Sequence, residues 1–130
     1  MTKILVAEDD KDIRELIVLS LRFSGYDVIP ASDGQQAVDR AFEEQPDLIM
    51  LDLRMPLLNG YEALEQIKAS PELEHVPVVI LSAKGQDAEI QTGLDLGASQ
   101  YILKPFAPDE LILKIGQIVA ASKETATETP

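Results

Sequence analysis

The sequence predicts a three-layer α/β domain, a parallel sheet covered by helices on both faces. Three observations lead there. Short apolar runs alternate five times with stretches of helical periodicity. The runs are rich in Ile, Val and Leu, and most lack the polar alternation of a half-exposed strand, as befits strands buried on both faces. The length of 130 residues, 45% of them apolar and 26% charged, suits one ordinary globular domain.

The predicted strands cover residues 3–7, 27–30, 48–51, 76–81 and 101–103. Behind the first, Ile13, Leu16, Ile17 and Leu21 share one helical face, and Gly25 supplies a stop signal. The second helix groups Ala37, Val38, Ala41 and Phe42, with Ser32 or Asp33 as its cap and Pro46 beyond its end. The third spans about 60–69, with Leu64 and Ile67 turned inward and Pro71 following. The fourth covers about 87–96, before Gly97. The last opens at Pro108, with Asp109 and Glu110 suited to the positive end of the helix dipole. Leu111, Ile112, Ile115, Ile118 and Val119 form its buried stripe. Residues 122–130 carry no apolar periodicity, so a flexible tail is expected behind a folded domain of residues 1–121. No internal repeat or low-complexity tract is present.

Composition narrows the function. A formal net charge of −12 argues against nucleic acid as a direct partner, because a polyanion requires a basic footprint. The absence of cysteine excludes disulfides, zinc–thiolate sites and thiol catalysis. No signal peptide is recognisable, and no apolar run approaches the roughly 20 residues that span a bilayer. A soluble, cytoplasmic protein that engages no membrane is expected.

Ligands of open parallel sheets bind beyond the carboxyl ends of the strands. The polar residues at those ends are Glu8, Asp9 and Asp10 after the first strand, and Asp52 with Arg54 after the third. Ser82 with Lys84 follows the fourth, and Lys104 the fifth. Converging carboxylates from Glu8, Asp9 and Asp52 repel one another unless a cation neutralises them. A hard divalent ion with oxygen ligands, Mg2+ above all, answers that need. Lys104 offers a fixed positive charge for a phosphoryl oxygen, and Ser82 a hydroxyl donor for another. Asp52 is then placed to attack phosphorus and form an aspartyl-phosphate. Singly each residue has an ordinary reading: Asp10 caps the first helix, Asp52 and Ser82 are turn or cap residues, Lys104 is exposed at a bend, and Tyr101 is strand packing. Together, at successive strand ends, they make a phosphoryl-transfer site.

These residues resemble a response-regulator receiver domain of two-component signalling, of the chemotaxis-regulator type, from Lys3 to about Ala121. The likeness rests on ILVAEDD at 4–10, LIMLDLRMPLLNGYE at 48–62, VVILSAKG at 78–85, YILKPF at 101–106, and the spacing of Asp52, Ser82 and Lys104. It implies the flavodoxin-like strand order 2-1-3-4-5. It further implies Asp52 as phospho-acceptor, and Glu8, Asp9, Asp52 and the Arg54 backbone carbonyl as Mg2+ ligands. Lys104 and Ser82 would serve the transfer, with a cis Lys104–Pro105 bond. Ser82 and Tyr101 would act as the switch pair, the ring turning inward as the hydroxyl moves toward the phosphoryl group. Arg54 and Lys84 occupy positions that tune phosphoryl lifetime in the family, and two cations there imply a long-lived phosphorylated state. The implied partners are a sensor histidine kinase or a histidine phosphotransfer protein, and a downstream protein that the sequence does not name. Glu8 stands where many members have Asp.

The charged residues that pair the family's winged-helix transcription factors are largely missing from 97–100 and 113–117, which favours a stand-alone receiver. A haloacid-dehalogenase-type phosphatase would need a second Asp at the position of Arg54. A degenerate, phosphorylation-independent scaffold would not need the complete set of site residues. The reading is therefore a signalling switch that catalyses its own phosphorylation and dephosphorylation, rather than an enzyme acting on small molecules.

Overall fold

A computed structural model of the chain describes residues 2–55, 57–83 and 86–128, and their side chains as far as residue 122. The apolar runs become strands β1 (Lys3–Ala7), β2 (Asp27–Ala31), β3 (Leu48–Asp52), β4 (Val78–Ala83) and β5 (Gln100–Lys104). The fourth starts later than its apolar run, because Pro77 has no N–H for the ladder, although Val76 is buried. The strands pair in parallel in the order β2-β1-β3-β4-β5, as the resemblance implied. Five parallel strands and five helices make the flavodoxin-like α/β fold.

The helices are α1 (Lys11–Phe23), α2 (Gly34–Glu44), α3 (Gly60–Ala69), α4 (Asp87–Asp95) and α5 (Pro108–Glu128). Their starts are locally encoded. Asp10 and Asp33 accept from the backbone N–H groups of Ile13 and Gln36, and Asn59 forms a reciprocal capping box with Glu62. Side chains alternate along each strand, so the sheet feeds two cores. Leu5, Ala7, Ile49, Leu51, Val78 and Ile80 pack with α2 and α3. Ile4, Val6, Met50, Val79, Leu81 and Ile102 pack with α1 and α5. Burial on both faces explains the missing polar alternation.

Three details differ from expectation. Leu16 is 42% exposed, since α1 presents Ile17, Val18 and Leu21 to the sheet and Leu16 lies off that arc. Phe42 is likewise 39% exposed; small Ala37 and Ala41 line the buried face of α2 and leave the ring at its margin. The expected domain boundary at 121 falls inside α5, whose backbone helix runs on to Glu128. Extending a helix that is already nucleated needs no apolar stripe, and Ala, Lys and Glu in 120–128 are favourable formers.

Burial sets the cost of truncation. Leu64→Ala, at a fully buried α3 position, is expected to destabilise by about 2–5 kcal/mol. Leu19→Ala, at a position 65% exposed, should shift stability by no more than about 0.5 kcal/mol. Urea midpoints of the two variants check the contrast.

Candidate functional site

In a parallel sheet all carboxyl ends share one edge, and the order β2-β1-β3 makes the β1–β3 crevice the point where successive connections leave in opposite directions. Glu8 and Asp9 follow β1 there, and Asp52 ends β3 beside them. One carboxylate oxygen from each of the three lies within 4.8 Å of the others. Glu8 is fully buried and Asp52 is 5% exposed, whereas Asp9 faces solvent. Register brings β4 and β5 in beside them: Asp52 pairs with Leu81, Ser82 with Leu103, and Ala83 with Lys104. Lys104 places its Nζ 2.5 Å from Glu8 Oε1 and 3.3 Å from Asp52 Oδ2. The peptide bond from Lys104 to Pro105 is cis.

The electrostatics of this group are unbalanced. Among the described residues one ammonium, that of Lys104, serves a cluster of three carboxyl groups. Burial, and then the hydrogen bond and charge of Asp52, push the Glu8 carboxyl well above the usual carboxylate range, against the pull of Lys104. Burial works against the charge on Lys104, but Glu8 and Asp52 together hold its pKa above the ordinary value. A cluster of this kind, built from oxygen donors with a surplus of negative charge, fits a hard divalent cation. Ser82 Oγ is buried without a hydrogen-bond partner among the described residues, so a donor stands ready for a further oxygen. Glu8, Asp9, Asp52, Arg54, Ser82 and Lys104 all line one cavity of about 300 Å3. A larger depression of about 550 Å3 at the opposite end of the sheet, beside Asp47, His75 and Val119, gathers no buried charged side chain among the described residues.

Not every predicted residue joins the cluster. Asp10 is the α1 cap, and its own N–H donates to Glu8 Oε2 at 3.2 Å. The Arg54 N–H donates to Asp52 Oδ1 at 3.1 Å, but its side chain turns away to Glu89 and Gln86 on the α4 side. Tyr101 is 37% exposed, and Lys114 Nζ sits 5.1 Å from its ring centroid, so the ring points outward. Lys84 lies outside the described residues.

Sequence reasoning missed the scaffold of the site. Arg14 donates from Nη1 to the carbonyl oxygens of Glu8 at 2.8 Å and Asp9 at 3.3 Å, pinning the acidic loop. A cation in the first turns of a helix opposes the dipole, and that was the available signal. Two glycines hold the loop after β3. A Cβ at Gly34 would overlap the Leu58 carbonyl oxygen, and one at Gly60 would overlap the Asp52 carbonyl oxygen and Leu53 Cα.

Comparisons with known proteins agree with this geometry. The family model described as the response regulator receiver domain matches residues 4–116. The alkaline phosphatase synthesis transcriptional regulatory protein PhoP of Bacillus subtilis is 41% identical over 128 residues, covering 94% of this chain and 52% of that protein. The probable transcriptional regulator ycf27 of Guillardia theta is 37% identical, covering 95% of this chain and 48% of that protein. The chain thus spans about half the length of these curated relatives. Among solved structures, the chemotaxis protein CheY4 of Vibrio cholerae superposes with a TM-score of 0.84 at 31% identity, covering 92% of this chain and 98% of that one. NtrX of Brucella abortus gives a TM-score of 0.91 at 31% identity, covering 98% of this chain and 29% of that one. Among the described residues no helix is long and apolar enough to cross a membrane.

The support from Arg14 is measurable. Outer-shell groups that orient ligands typically carry about a factor of ten or more in metal affinity, so Arg14→Met should weaken any divalent-cation binding at the acidic cluster by about tenfold. Calorimetric titration of both proteins checks it.

Proposed function

The chain belongs to the response regulator receiver family, and on that premise we propose that it is a phosphorylation switch whose acceptor is Asp52. The observation that carries the reading is the convergence of Glu8, Asp9 and Asp52 beside the Lys104 ammonium and a buried Ser82 hydroxyl that has no partner among the described residues. Glu8, Asp9, Asp52 and the Arg54 carbonyl would hold Mg2+. A bound Mg2+ supplies the positive charge that allows a carboxylate and a phosphoryl group to meet. The remaining work falls to the chain itself.

The donor is a phosphohistidine of a sensor kinase or of a phosphotransfer protein. An Asp52 oxygen forms a bond to phosphorus as the P–N bond breaks; the imidazole nitrogen keeps the electron pair, and a proton already carried on the other ring nitrogen of the phosphohistidine makes the leaving group neutral histidine. Lys104 takes one phosphoryl oxygen, exchanging part of its bond to Asp52 for a more highly charged partner. Ser82 Oγ donates to another and satisfies its own buried hydroxyl. That movement opens space behind Ser82 for the Tyr101 ring, which leaves Lys114 and turns inward. The face formed by the last two strand–helix units then favours a different partner. Hydrolysis of the aspartyl-phosphate resets the switch, and Arg54 and Lys84 tune its rate. We read the chain as a cytoplasmic domain, its residues 1–121 forming the receiver, that binds neither nucleic acid nor membrane directly.

The stand-alone reading draws support from the uncharged stretch Gly97-Ala98-Ser99-Gln100 and from the sparse charge of 113–117. The alternative, a receiver that forms one part of a transcriptional regulator, draws support from the names and lengths of the curated relatives.

Incubation with acetyl phosphate and Mg2+, resolved by phosphate-affinity gel shift, tests the reading. The wild type should shift, Asp52→Asn should not, and chelation should abolish the shift. A shift retained by Asp52→Asn would assign the acceptor elsewhere. Lys104→Ala should slow the initial rate of phosphorylation at least tenfold, on the scale of about 10²–10³ for loss of one charge-stabilising donor.

A further inference from the structure

The Arg54 side chain has a second anchor that the phosphorylation chemistry leaves unexplained. Its backbone is held at the acceptor by the bond from its N–H to Asp52 Oδ1. Its guanidinium, in contrast, is committed to the start of α4. Nε and Nη2 donate to Glu89 Oε1 at 3.0 and 2.7 Å, and Nη2 also donates to Gln86 Oε1 at 2.9 Å. Glu89 itself lines the acceptor cavity with Asp52 and Lys104. The clasp therefore stands at the mouth of the site.

We propose that Glu89 is a positioning residue that holds Arg54 away from the phosphorylated acceptor and so shortens the life of the phosphoryl group. The inference rests on the reading of Asp52 as acceptor. Arg54 begins two residues past Asp52, on a long side chain whose planar fork suits a phosphoryl group as well as a carboxylate. The pair is accessible, with the Arg54 side chain 68% exposed and that of Glu89 26% exposed, so solvent keeps it weak and exchangeable. A phosphoryl group on Asp52 carries more negative charge than Glu89 and competes for the same fork. Hydrolysis requires water to add to phosphorus as the P–O bond to the Asp52 carboxylate breaks, releasing inorganic phosphate. A guanidinium laid over the phosphoryl oxygens obstructs that approach, and one held by Glu89 leaves it open.

The clasp also joins chemistry to shape. Gln86, the residue that precedes α4, makes no side-chain cap bond to the helix, and its amide oxygen accepts from Arg54 instead. The Tyr61 hydroxyl donates to the Glu89 carbonyl oxygen at 3.3 Å, a second tie from α3 to the same turn. Passage of Arg54 from Glu89 to the phosphoryl group thus loosens the first turn of α4 and leaves the Tyr61 bond to hold it. The two cations expected to prolong the phosphorylated state are in this way not equivalent: the contribution of Arg54 is set by a competitor.

The test is a double-mutant cycle on phosphoryl loss. Wild type, Glu89→Ala, Arg54→Ala and the double variant are phosphorylated with acetyl phosphate and Mg2+, donor is removed, and first-order decay is followed. Glu89→Ala should lengthen the half-life by about threefold to fivefold, the scale of an exposed ion pair that solvent weakens. The double variant should decay like Arg54→Ala, since nothing remains for Glu89 to hold. A purely structural role for Glu89 would persist in the Arg54→Ala background, and that result, or an unchanged half-life in Glu89→Ala, overturns the proposal. A wild type that takes up no phosphoryl group overturns the reading of Asp52, and this inference with it.

Discussion

The ammonium of Lys104, shared between the buried carboxyl groups of Glu8 and Asp52, is the interaction on which the site depends. Charges withdrawn from water must be paired, and the partners here arrive from strands β1, β3 and β5. A parallel sheet brings those three ends to one edge, and its strand order sets β1 and β3 side by side. The same pairing leaves the cluster short of positive charge, which is a disadvantage for a resting core and a requirement for the cation and phosphoryl binding proposed for it. Its design resembles that of other functional sites in which local stability is traded for readiness to bind.

Around that pair the support comes from close backbone approach and one guanidinium. Gly34 and Gly60 let the loop after β3 lie directly against its neighbours, and Arg14 ties down the two carbonyls that precede α1. These contacts fix where the Asp52 carboxylate stands. The outer ring of the site is looser. Arg54, Glu89 and Gln86 form bonds that solvent weakens, and the Tyr101 ring rests outward beneath Lys114. A rigid centre within an exchangeable rim suits a switch, because a change of charge at the centre can redistribute the rim at little cost.

Much of this was legible in the residues. The runs around Leu5, Ile49 and Ile80 announced strands buried on both faces, since covering both sides of a sheet removes polar alternation. Asp10, Asp33 and Asn59 marked helix starts through local hydrogen bonding that needs no tertiary contact. Leu16 and Phe42 were misplaced, because periodicity defines an apolar arc but not how much of it a neighbouring layer covers. The continuation of α5 past residue 121 went unseen for a related reason: helix propagation depends on backbone propensity, whereas the reading relied on an apolar stripe.

The division follows from the range of the forces involved. What the sequence determined by itself was the set of elements, the parallel sheet class and the residue types waiting at each strand end, all consequences of local periodicity, capping and composition. The meeting of Glu8, Asp52 and Lys104, the choice of Glu89 as the partner of Arg54, and the stranding of the Ser82 hydroxyl were decided only in three dimensions. Each depends on strand register and on distances between residues far apart in the chain, and electrostatic partners are selected by proximity in space.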